Sequence, residues 1–104
     1  MNEQTKHDLE AYCTYLGWVD FFEEGGTIYA IPPGDASHGY EDVPRFDHDL
    51  NLIVAEVAKL DEEDRITYLS WLMNITQGTS FDWIQALAAP RLRALVLTLG
   101  LGGM

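Results

Sequence analysis

A chain of 104 residues with 47% hydrophobic content, three Trp, five Tyr and four Phe can bury one core but cannot hold a catalytic domain and a separate regulatory one. Seventeen acids against six Lys and Arg give a formal charge of −11, which repels phosphate backbones and disfavours direct nucleic-acid binding. The lone Cys13 excludes an intramolecular disulfide and suits a reducing cytoplasm; the polar start MNEQTKHDLE has no signal-peptide layout, and no apolar run nears the ~20 residues of a membrane helix.

From Glu3 to Leu16, Leu9, Tyr12, Cys13 and Leu16 follow helical spacing, and Gly17 is the residue best able to close the helix in a left-handed conformation. Trp18 to Phe22 and Thr27 to Ile31 are β-favouring runs around Glu23-Glu24-Gly25-Gly26, which predicts a hairpin stopped by Pro32 and Pro33. Residues 32–46 show no period and read as a long loop, the first place to look for a binding surface or else a loop packed down by Tyr40, Val43 and Phe46.

The clearest amphipathic segment is 47–60. Its Leu50, Ile53, Val54 and Val57 form one stripe, predicting a core helix capped by Asp47 or Asp49 around which the chain is organised. Asp61-Glu62-Glu63-Asp64 then open a helix over 62–77. Its apolar residues cover most of the circumference, so it is expected to be central or to lie at an interface, with a strand over 67–75 as the competing reading. Thr79, Ser80 and Asp82 can cap a short helix over 81–87, whose Trp83 would pack on Trp71. Pro90 suits the first turn of a last helix, where Leu92, Leu95, Val96 and Leu99 form a stripe before Gly100, with Leu97 and Leu101 off it.

The charge is unevenly spread. Residues 1–64 hold sixteen acids and three cations, a net of −13, whereas 65–104 carry +2. Plain solubility accounts for much of this, and recognition of a basic partner is the functional reading. Asp47, His48 and Asp49, with His38, Glu41 and Asp42 upstream, are residue types that could hold a divalent metal, but the spacing matches no metal motif and capping is the favoured role. Cys13, Ser37, Ser70 and Ser80 have no nucleophile context, and no phosphate-binding glycine motif is present. Trp18, Phe21, Phe22 and Tyr29 suit a recognition surface, although the core face of a sheet is the commoner use of such residues.

A Gly-Trp after the first helix, an aromatic hairpin, Asp49-Leu50-Asn51 followed by Ala55-Glu56, and Ala89-Pro90 with Arg93-Ala94-Leu95 and Thr98-Leu99-Gly100 resemble small phage and prophage proteins of the phage ABA-sandwich type. The likeness spans most of residues 9–101. It implies a phage or prophage origin, with no catalytic residues to carry over.

The expected fold is α+β, a mainly helical single domain over 1–104 with five helices and one β-hairpin packed against them. The expected function is non-enzymatic and cofactor-free: binding of a basic protein partner, such as a host protein or defence component, in the bacterial cytoplasm. The acidic surface expected to do this includes Tyr40, Glu41, Asp42, Asp61, Glu62 and Glu63. Self-association through helices at 62–77 and 90–99 is also expected. The alternatives are a small metal-dependent hydrolase using Asp47, His48 and Asp49, or a homo-oligomeric structural module.

Overall fold

Four helices and a three-stranded antiparallel sheet make up residues 3–34, 39–75 and 88–101, the part of the chain described by a computed structural model. The first helix, α1 (Glu3–Leu16), buries Leu9, Tyr12 and Cys13 and half-buries Leu16, as its spacing predicts. It ends at Gly17, whose φ of +108° lets the Gly17 N–H reach the Thr14 carbonyl and the Trp18 N–H reach that of Cys13, both at 3.0 Å. These two bonds make a Schellman closure, which satisfies carbonyls that the helix end would leave unpaired.

Strands β1 (Val19–Glu24) and β2 (Thr27–Ile31) form the expected hairpin. Gly25 and Gly26 turn it with φ of +62° and +83°, the double positive φ that a type I′ turn needs. The loop expected over 32–46 contains a third strand, β3 (Glu41–Asp42), paired to the other edge of β2 as Tyr29 with Asp42 and Ala30 with Glu41. Neither residue favours strand intrinsically; the open backbone of β2 recruits them. The ladder continues as the Val43 N–H donates to the Ile28 carbonyl at 3.1 Å, which seats Val43 in the core beside Ile28 and Ala30.

The segment expected at the centre, α2 (Leu50–Val57), is two turns long. Asp49 caps it, its Oδ1 accepting from the N–H groups of Asn51 at 3.0 Å and Leu52 at 3.3 Å, a device worth about 1 kcal/mol. Of its predicted stripe only Ile53 is fully buried: Leu50 and Val57 lie at the margin of the core and Val54 is exposed. The next helix, α3 (Glu62–Ile75), confirms helix over strand for 67–75, yet it is not central, since only Tyr68 and Leu72 are buried. That place belongs to α4 (Ala88–Thr98), which packs against α1, α2 and α3. Leu92, Ala94, Leu95 and Val96 of α4 are completely buried, and the small Ala88 and Ala94 let neighbouring backbones approach.

Two polar ties bind α1 to the other helices. The Tyr12 hydroxyl donates to Glu56 Oε1 on α2 at 2.7 Å. Arg93 Nη1 on α4 donates to Asp8 Oδ1 at 2.9 Å, and Gln4 Nε2 donates to the same oxygen at 3.1 Å, so the buried carboxylate is paired and hydrogen-bonded as burial of a charge requires. Among the described residues no helix is long and apolar enough to cross a membrane. The helix expected over 81–87 lies outside the described residues.

Candidate functional site

The outward face of the sheet is set by one irregularity. Val19 pairs with Ile31 but Phe22 pairs with Tyr29, so one extra residue sits between them on β1, and Asp20 takes φ of +59° there. Such a bulge re-aims the side chains beyond it. Val19 and Phe22, an odd number of positions apart, therefore share the solvent face, whereas Phe21 turns with Trp18 to pack against the core. Across the strands, Phe22, Tyr29 and Asp42 form one row on that face.

Three aromatic rings gather there. Phe22 and Tyr29 stack with centroids 5.2 Å apart and planes 20° apart, and Tyr40 stands edge-on to Phe22 at 4.9 Å and 83°. Phe22 is 40% exposed and Tyr40 53%. Of the residues expected in a binding surface, Tyr40 and Asp42 join this patch, while Glu41 pairs beside Ala30 and turns to the other side of the sheet edge, where it is exposed. The other three begin α3. Asp61 is its cap, with Oδ1 accepting from the Asp64 N–H at 2.8 Å, and Glu62 and Glu63 are exposed in the first turn. Thus the six fall into two groups on separate elements, with no hydrogen bond or ion pair between the groups. Phe22 and Tyr29 belong with the first group, which the adjacency of Phe21 and Phe22 in the sequence could not reveal.

The cations are already engaged. Lys6 pairs with Glu23 at 3.2 Å, Lys59 with Glu56 at 2.7 Å and Arg93 with Asp8. Arg45 meets Asp47 with two bonds of 2.9 Å. The Arg65 Nη2 donates to the Leu60 carbonyl at 3.0 Å and lies 3.5 Å from that of Ala58, beside the end of α2. Arg91 lies beside the buried Tyr68 hydroxyl, where burial raises the phenol's pKa and the nearby positive charge opposes the rise.

Asp47, His48 and Asp49 do not converge. Asp47 serves Arg45, Asp49 serves the start of α2, and His48 is exposed; among the described residues no three His, Cys, Asp or Glu side chains are grouped as metal ligands. Cys13 is fully buried, and burial, helped by the charges of Asp47 and Glu10, pushes its thiol up to about 12. A hollow of about 330 Å³ between α1 and the facing ends of α3 and α4 has the Asp8–Arg93 pair in its wall, with the carboxylate already serving Gln4 and Arg93. A smaller one of about 150 Å³ lies along α1 at Glu3, Lys6, His7 and Glu10.

No protein-family model, curated protein or solved structure matches the chain.

Proposed function

We propose that the chain is a non-enzymatic accessory protein of phage or prophage type, which acts in the bacterial cytoplasm by binding a basic surface on a host protein or defence component. The observation that carries this reading is the one-sidedness of the exposed charge. All six cations are engaged within the chain, whereas Glu24, Glu41, Asp42, Glu62 and Glu63 are exposed with no cation on any of them. Such a surface attracts basic groups from a distance and offers little to an anionic ligand.

Affinity capture from a bacterial lysate, followed by washes at rising salt, tests it. The bound partner should be basic and should leave between 0.1 M and 1 M salt, as the screening length falls from ~10 Å to ~3 Å. Reversing Glu62→Lys with Glu63→Lys should weaken capture further. A partner that stays bound at 1 M salt, or one with an acidic contact face, removes the electrostatic reading.

Self-association is a second reading, favoured by a separate observation. Ile66, Leu69, Trp71, Met73 and Ile75 of α3 are all exposed.

A further inference from the structure

We infer that the corner made by Phe22, Tyr29 and Tyr40, closed on one side by Asp42, receives an arginine side chain of the basic partner; this rests on the binding reading above and names the group recognised.

Phe22 and Tyr29 lie nearly parallel, and Tyr40 reaches across β2 to stand almost perpendicular to Phe22, so the rings present two walls at a right angle. The Phe22–Tyr29 stack alone is an ordinary cross-strand pair that stabilises a hairpin. Tyr40 is not accounted for that way: it precedes β3, is 53% exposed, and touches a ring on the far strand. Phe22 likewise stays 40% exposed although its neighbour Phe21 supplies the core contact.

The charge beside the rings selects the occupant. Asp42 stands next to Tyr29 in the cross-strand row, Glu24 lies on the same face two residues beyond Phe22, and neither carboxylate has a cation. Aromatic faces are negative, so rings with a carboxylate at their edge attract a cation. A guanidinium fits better than an ammonium because it is flat and weakly hydrated. It can stack on one ring while its edge donates two parallel bonds to the carboxylate. A second copy of the chain supplies no such group, since its arginines are engaged with Asp47, with the end of α2, beside Tyr68 and with Asp8.

Hexa-arginine and hexa-lysine, titrated separately into the isotope-labelled protein at 0.1 M salt and followed by NMR, test the assignment. Hexa-arginine should bind more tightly and shift the resonances of Phe22, Tyr29, Tyr40 and Asp42. Tyr40→Leu and Phe22→Leu should each weaken it by roughly two- to five-fold, the worth of one exposed cation–ring contact. Tyr40→Phe, which keeps the ring, should bind as the parent does. Both rings are exposed, so these variants should fold, and an unchanged melting temperature checks that they do. Equal affinities for the two peptides, or shifts confined to Glu62 and Glu63 with Tyr40→Leu binding normally, would overturn the corner and leave the acidic-surface reading standing. Failure of both peptides to bind would overturn the corner and the acidic-surface reading together.

Discussion

Cys13 and Tyr12 sit side by side in α1, and burial acts on each of them differently. Tyr12 keeps a polar partner in Glu56, whereas the Cys13 thiol is held in its neutral form, its pKa raised from 9.0 to about 12 chiefly by desolvation. The unfolded chain therefore releases this proton from about pH 9 while the folded chain retains it. Binding more protons when folded means losing stability as pH rises. Tyr12 and Tyr68 are also raised, above an ordinary 10.0, and begin to add their own losses as the pH nears 10. Between pH 9 and 10 the unfolding free energy should thus fall at up to about 1.4 kcal/mol per pH unit on account of Cys13 alone. Cys13→Ala should be somewhat less stable at pH 7 yet fall less steeply across that window, where only the onset of the tyrosine losses remains. Parallel urea curves for parent and variant from pH 9 to 10 would contradict the account. At the same scale, Phe21 and Phe22 show where sequence reading stops. Both suit a strand, and which one faces water is settled by the bulge at Asp20, a property of the β1–β2 register that local composition does not encode.

Helix ends were the most legible elements, because their chemistry is local. Gly17 and Gly100 both close helices through the same pair of bonds, with φ of +108° and +71°, but their surroundings differ. A Cβ at Gly17 would lie 2.7 Å from Pro33 Cβ, whereas one at Gly100 would meet nothing within 4 Å. Gly100→Ala should therefore cost about 1–2 kcal/mol from the left-handed backbone alone. Gly17→Ala should cost more, since its φ is further from any region an L-residue favours and Pro33 would have to move. Urea midpoints of the two variants give the ranking, and equal losses would mean that the Pro33 contact is soft. Less legible was which helix would be central. Helix α3 reads as apolar nearly all round, yet it buries only Tyr68 and Leu72, while α4 takes the middle because Ala88 and Ala94 allow close approach on more than one side. Periodicity reports that a face is apolar, not what covers it. Strand β3 was illegible for a related reason: Glu41 and Asp42 pair because β2 has an open edge, not because of their own preference.

For the whole molecule, charge and apolar surface pull self-association in opposite directions. Ile66, Leu69 and Met73 fall at i, i+3 and i+7 on α3 and are 61%, 51% and 73% exposed, whereas the exposed Trp71 and Ile75 lie across the helix, beyond the buried Tyr68 and Leu72. Such a stripe is of the order of the few hundred Å² at which patches on monomers are often functional. The last helix can add little, since Leu97 is half-buried and Leu101 packs against the core. Two copies would therefore pair mainly through α3, and an interface this small, set against the ~1,000 Å² of a stable one, gives weak association. Each copy also brings a charge of −11. Like charges repel most at low salt, so a pair held by apolar contact should tighten as salt rises from 0.1 M to 1 M, whereas binding of a basic partner should loosen over the same range. Light scattering on the protein alone should then show a mass rising above 11.7 kDa with salt. Leu69→Glu should hold the mass at the monomer value, because it places a charge in the middle of the stripe without touching the buried Tyr68 and Leu72 face. A monomer mass at both salt concentrations up to about 100 μM protein would remove the pairing and leave the α3 stripe open to the apolar part of some other surface.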